Sequence, residues 1–248
     1  MALKQIKNKI ISTKKTGKVT KAMESVSAVK MRKSQERAFA SRPYVHAAMR
    51  ILARVSGSDE AMQHPLAQKR VATERRVVMV TSDKGLAGSV NSAVLKQADI
   101  LRRSGVKFDV IAIGRKAVEY AEREGITVVA KYMNVADDVT IADIYAMAAV
   151  AMDAFKNSDT YGEVNVIYQN FISTFEQAPT LRQVLPLDPA EIHYIMQGIK
   201  PKHGKFSEDV VAGDSVVNYT IEPNATAVLD ALIPQLVQIL LYHALLES

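Results

Sequence analysis

Residues 75–91 read RRVVMVTSDKGLAGSVN, and this stretch decides the fold class. Val77, Val78, Met79 and Val80 form an apolar run, β-branched at three of four positions. It is too short for a helix and stops at a polar turn, Ser82-Asp83-Lys84-Gly85, so it predicts a strand. Residues 89–104 then carry helical periodicity and are closed by Gly105. The alternation repeats downstream. Residues 108–113 predict a second strand stopped by Gly114, 115–124 a short helix stopped by Gly125, and 126–130 a third strand. Residues 139–156 predict a helix capped by Asp137 or Asp138, and 164–168 a fourth strand. Strand and helix in alternation mark an open α/β sheet with parallel strands. Residues 181–187 and parts of 191–196 and 216–221 predict further strands. The piece 197–215 reads as loop.

The flanks follow a different grammar. Residues 3–56 hold one proline, Pro43, and one glycine, Gly17. Leu3, Ile6 and Ile10, then Val19, Ala22, Val26 and Val29, recur at steps of three and four, which predicts a helix with a narrow apolar seam. The two runs do not share one register, as in a helix with a stutter. Pro43 predicts a kink or an end to the first helix. The last segment, 224–248, is helical again, with Asn224 or Thr226 as cap and Pro234 as a local defect. Its stretch LVQILLYHALL, residues 236–246, is apolar on most sides. Each terminal helix needs a cover. The simplest solution pairs them as an antiparallel coiled coil, with Leu3–Ile10 near Leu236–Leu245. One partner helix would still leave part of the 236–246 circumference open. The expected fold class is therefore α/β: long N- and C-terminal helices forming an antiparallel coiled coil, with an inserted Rossmann-like α/β domain. The expected divisions are 1–56, 75–221 and 222–248.

The net charge of +6 hides an asymmetry. Residues 1–54 hold fourteen Lys and Arg against two Asp and Glu, a net +12, while the rest is net −6. With no cysteine, disulfides, thiolate metal sites and cysteine nucleophiles are excluded. No stretch reaches about 18 uncharged apolar residues, and MALKQIKNKI lacks the apolar core of a secretory signal.

Candidate chemistry is sparse. The turn Gly85–Ser89 sits where phosphate sites are built, between a strand and a helix. It lacks the spacing of a P-loop and of G-x-G-x-x-G, so close strand–helix packing explains it better. No two of His46, His64, His193, His203 and His243 are at metal-pair spacing on a helix. Tyr168, Phe171 and Phe175 read as core or sheet-edge aromatics. Like charges such as Lys4–Lys7 and Lys14–Lys18 repel along a helix. That choice of one sign points to an acidic partner. A nucleotide-binding α/β enzyme and a basic nucleic-acid-binding protein are the alternative readings. Against the second, the basic run has no interleaved aromatics.

Four motifs in order resemble the gamma subunit of F-type ATP synthases, bacterial type. They are Lys18-Val19-Thr20-Lys21-Ala22-Met23-Glu24 with Lys30-Met31-Arg32-Lys33-Ser34; Thr81 to Asn91; Tyr168 to Pro186; and Tyr219 to Pro223 with the run ending in Leu245-Leu246-Glu247-Ser248. The turn departs modestly from the family's S-D-R-G-L-C-G-G-x-N pattern, and the family's C-terminal helix continues roughly 40 residues past the L-L-E-S position. The plastid form's cysteine-containing switch has no counterpart here. The resemblance implies a non-catalytic central-stalk rotor that couples ion-driven rotation to ATP synthesis, with no catalytic, cofactor or metal site of its own. It implies as partners the alpha and beta subunits of the hexamer, the epsilon and delta subunits and the membrane c-ring, and no nucleic acid. It places the protein peripherally on the cytoplasmic side of the plasma (inner) membrane. Lys9, Lys21, Met23, Glu24, Lys30 and Arg32 are the residues it points to for contact with the hexamer.

Overall fold

A computed structural model describes residues 2–40, 43–44, 47–48, 51, 64–85, 87–136, 138–173, 175–187, 222 and 224–248. The chain divides into two compact units, Met1–Arg37 and Ala38–Ser248.

The first unit is a helix, and α1 runs unbroken over Ala2–Ala40. Its 39 residues correspond to about 58 Å. The register change between the two apolar runs does not interrupt it. At about 100° per residue, Leu3, Ile6 and Ile10 face roughly opposite to Val19, Ala22 and Val26. Every side chain from Leu3 to Lys30 is exposed. Hydroxyls of Thr13, Thr16, Thr20 and Ser25 each donate to the carbonyl four residues back, which satisfies them without a partner. A Cβ added to Gly17 would meet nothing within 4 Å. Gly17→Ala should therefore stabilise the helix in the isolated chain by about 1 kcal/mol, read as raised helicity by circular dichroism. Unchanged or lower helicity would contradict this.

The second unit is built on a five-stranded sheet of β1 (Glu74–Val80), β2 (Phe108–Ile113), β3 (Val128–Tyr132), β4 (Tyr161–Phe171) and β5 (Gln177–Leu185). The order is β3-β2-β1-β4-β5. β1 to β4 are parallel where they pair, and β5 runs antiparallel to β4. Between them lie α2 (Val90–Arg103), α3 (Arg115–Arg123) and α4 (Ile141–Asn157), and α5 (Ala225–Glu247) ends the chain. Successive side chains of a strand point to opposite faces. Val77 and Met79 thus enter a core with Val94, Ala98 and Leu101 of α2 and Ala117 and Val118 of α3. Val78 and Val80 enter a second core with Ile144, Met147 and Phe155 of α4 and Leu229, Ile233 and Leu236 of α5. A strand covered on both faces reads as a continuous apolar run, which is why residues 77–80 were legible.

Several boundaries differ from the sequence-based expectation. β1 begins at Glu74, because Arg76 is neutralised inside the sheet. Its guanidinium donates to both Asp109 oxygens at 2.9 and 2.8 Å, to the Val150 carbonyl at 3.1 Å and to the Tyr161 hydroxyl at 3.0 Å. Burial works against that charge, but Asp109 and Tyr161 more than offset it and hold the guanidinium above its ordinary pKa. The cap of α4 is Thr140, not Asp137 or Asp138. The Asp143 carboxylate accepts from the Thr140 amide and hydroxyl, 2.8 and 2.7 Å, and these bonds hold it below the usual carboxylate range. Asp138 lies outside the helix, and Asp137 lies outside the described residues. The expected Asn224 cap is present, accepting from the Ala227 amide at 2.9 Å. The suggested strands in 191–196 and 216–221 lie outside the described residues.

α5 corrects the expectation of an uncovered circumference. It lies on β4, β5 and α4, and Leu236, Val237, Ile239, Leu240, Leu241 and Tyr242 are all buried. A sheet covers a wider arc than a second helix can. Ala48 and the partly buried Ile51 join the same core, and the Tyr44 hydroxyl donates to Gln235 Oε1. Thr226–Glu247 is long and apolar enough on mean hydropathy to cross a membrane, unlike the stricter count of uncharged residues; most of it is buried as a core helix. Pro234 sits inside α5 without ending it.

Candidate functional site

Two places carry the residues singled out in the sequence: the turn after β1 and the surface of α1.

The turn is a junction of strand ends. Thr81 donates through its amide and its hydroxyl to the Ile113 carbonyl, at 2.9 and 3.0 Å, and its Oγ1 accepts from the Ala117 amide at 2.9 Å. Asn91 of α2 reaches back to accept from the Ser82 amide at 2.9 Å and donate to Ser82 Oγ at 2.8 Å. Ser82 Oγ itself donates to the Lys84 carbonyl. The Asp83 carboxylate accepts from the backbone amide of Arg115, just past β2, at 3.0 Å, and of Asn134, just past β3, at 2.8 Å. The Arg115 guanidinium donates to the Asp83 carbonyl. Asp83 thus ties the chain after three neighbouring parallel strands. Sequence reading of the motif missed this role; the signal was an Asp in the turn just past a strand, two residues before Gly85. The donors and acceptors of Thr81, Ser82, Asp83 and Asn91 are engaged within the fold. The close strand–helix packing expected of the glycines in this turn is not found: a Cβ at Gly85 or Gly88 would meet nothing within 4 Å, and Gly88 instead serves the turn with a φ of 56°.

The six residues on α1 are all exposed. At about 100° per residue, Lys9, Met23 and Lys30 share one side within about 60°, whereas Lys21 and Arg32 lie together roughly opposite, with Glu24 between. The helix therefore does not gather them into one patch; it distributes them around its circumference. Arg32 pairs with Glu36 at 3.0 Å one turn on. Such an exposed pair contributes little, about 0.3–0.5 kcal/mol.

Elsewhere, His64 is buried and bridges. Its Nδ1 accepts from the Leu66 amide and its Nε2 lies 3.1 Å from Asp230 of α5. His243 is buried in α5; His46, His193 and His203 lie outside the described residues. Tyr168 is a core residue and Phe171 is partly buried at the end of β4. Phe175 is not a core or sheet-edge aromatic: it is 99% exposed in the β4–β5 turn, where Ser173 Oγ accepts from its amide.

The family model described as ATP synthase matches residues 2–248. The chain is 31% identical to the ATP synthase gamma chain of Staphylococcus saprophyticus, covering 100% of this chain and 81% of that one. It is 34% identical to that of Ralstonia nicotianae, covering 99% and 81%. Among solved structures, the central stalk and c-ring structure of the Tetrahymena thermophila mitochondrial ATP synthase includes a chain with the same fold, at TM-score 0.65 and 20% identity, over 93% of this chain and 92% of that one. A match along the whole chain, at this identity and on this fold, means that the protein belongs to the ATP synthase gamma chain family, whose members are non-catalytic subunits of the central stalk.

Proposed function

We propose that this chain is the rotor of a proton-translocating ATP synthase and that α1 is its bearing surface inside the alpha–beta hexamer. The observation that carries the reading is the exposed cation-rich helix: from Leu3 to Lys30 its apolar side chains and its cations, with Glu24 the one acid among them, are all exposed. Lys9, Lys21, Met23, Glu24, Lys30 and Arg32 are the proposed contacts. Their spread around the circumference suits a shaft that shows a different side to each catalytic subunit as it turns. Cations on long stems form loose, salt-screened contacts with acidic segments, which do not lock the shaft in one position.

The terminal helices are proposed to pair antiparallel. The Tyr44–Gln235 hydrogen bond and the burial of Ala48 support a register in which the segment after α1 runs beside α5. The pairing and the hexamer together cover the exposed apolar runs of α1, Leu3, Ile6 and Ile10 among them. The epsilon and delta subunits and the c-ring are the remaining proposed partners, with the complex peripheral on the cytoplasmic side of the plasma membrane.

The test is charge reversal, Lys21→Glu with Lys30→Glu, in the enzyme reconstituted with its own partner subunits and membrane sector. Proton-driven ATP synthesis should fall severalfold, while the thermal stability of the isolated chain moves by no more than about 0.5 kcal/mol. Unchanged synthesis, or a sharp loss of stability, would show these lysines to be structural.

A further inference from the structure

The N-terminal half of α1 is built from residues that hold a helix poorly. From Ile10 to Thr20 every residue except Lys14, Lys15 and Lys18 is β-branched, serine or glycine. In a helix, β-branched side chains lose rotamer freedom, serine competes for the backbone, and glycine gives up the most backbone freedom. The hydroxyls of Thr13, Thr16 and Thr20 donate to the carbonyls of Lys9, Ser12 and Thr16, a bond that slightly destabilises and bends a helix.

Charge acts in the same direction. Glu24 is the one acid in residues 1–30, so no lysine from Lys4 to Lys18 has an acid three or four residues away. Lys4–Lys7, Lys14–Lys18, Lys15–Lys18 and Lys18–Lys21 are like-charged neighbours on the helix surface. The first turn carries no acid, and Lys4 and Lys7 stand at the positive end of the helix dipole. Burial supplies most helical stability in proteins, yet every side chain from Leu3 to Lys30 is exposed. The other end of α1 differs. Residues 28–38, AVKMRKSQERA, are mostly good helix formers, Arg32 pairs with Glu36, and Met31, Ser34, Gln35 and Arg37 are partly buried.

We propose that α1 folds in two stages: its C-terminal half is helical in the free chain, whereas residues 2–20 exchange between coil and helix and become a stable helix only when a partner covers their apolar side chains and neutralises their lysines. That partner is the alpha–beta hexamer, and this second stage rests on the rotor reading; the state of the free chain does not. The shaft is then stiff only where it is enclosed, and part of the interaction energy of assembly goes into ordering it.

The test is amide hydrogen exchange of the full chain, free and reconstituted with its alpha and beta subunits, read by mass spectrometry against intrinsic rates. In the free chain, residues 6–20 should be protected at least about tenfold less than residues 31–38. Raising sodium chloride from about 0.02 to about 0.5 M should increase the protection of residues 6–20, because screening relieves the repulsion between lysines. A helix held by ion pairs would respond with the opposite sign. The combined replacement Thr13→Ala, Thr16→Ala, Gly17→Ala and Thr20→Ala should raise protection of residues 6–20 severalfold in the free chain and leave residues 31–38 unchanged. In the complex α1 should be protected evenly along its length. Even protection of residues 6–38 in the free chain would overturn the proposal, and so would a fourfold variant no better protected than the unaltered chain. A complex that assembles and rotates while residues 6–20 stay unprotected would overturn the second stage and leave the rotor reading standing. A chain that does not join the hexamer at all would overturn the rotor reading and the second stage together.

Discussion

Asp109→Ala should lower the stability of the second unit by about 3–5 kcal/mol, seen as a fall in melting temperature of roughly 10 °C. Arg76 and Asp109 side chains are only 9% and 12% exposed. The pair joins β1 to β2, the Tyr161 hydroxyl donates to Asp109 Oδ2 at 2.6 Å from β4, and Arg76 also reaches the Val150 carbonyl of α4. Alanine removes the acceptor for two guanidinium bonds and one hydroxyl bond and leaves a buried cation. The penalty arises mostly from that stranded charge rather than from the lost attraction. A double replacement, Arg76→Met with Asp109→Leu, should therefore be far milder than Asp109→Ala alone. Chemical and thermal melts of the three proteins decide the matter. A single-variant loss under about 1 kcal/mol, or a double variant worse than the single, would show that the charge is solvated and the network unimportant.

Gly114→Ala should cost about 3 kcal/mol, combining backbone strain with a steric clash. Gly114 has φ 85° and ψ 148°, a region that essentially only glycine occupies. It also lies against β1: an added Cβ would stand 2.0 Å from the Thr81 carbonyl oxygen. That carbonyl belongs to the backbone, so relief requires moving the end of β1 or the start of α3. Either movement disturbs the Thr81 bonds to Ile113 and Ala117. Gly125 gives the comparison. Its φ is 68°, but a Cβ there would meet nothing within 4 Å, so Gly125→Ala should lose only the conformational part, about 1–2 kcal/mol. Urea midpoints of the two variants separate strain from clash. Equal losses would mean that the strand end yields freely and the close approach carries no constraint.

The strands that sequence reading placed most accurately are those covered on both faces. Residues 77–80 and 110–113 announce themselves because apolar side chains fill both faces where helices cover the sheet on each side. β3 was shifted by two residues, and its side chains alternate between half-buried and exposed, as an edge strand allows. There the apolar signal is weakest. Glu74, Arg75 and Arg76 were missed as strand because a charge is compatible with a sheet interior only when its partner, 33 residues away, is known.

The family and the stalk role were legible because motif order survives in sequence regardless of how the chain packs. The turn after β1 was legible as a motif but not as a mechanism. That Asp83 ties the ends of β1, β2 and β3 follows from strand order, and strand order arises from three-dimensional pairing. The same holds for α5. Its leucines announced a helix in need of cover, and periodicity could show how wide that need was. What supplied the cover was the tertiary structure's decision, because burial depends on which surfaces meet. For α1, sequence alone determined the helix, its charge and its apolar runs, since each depends on residues within a few turns of one another. Distance along the chain and distance in space coincide only within such local elements, so the amino-acid order specified the elements and only the fold could specify the company they keep.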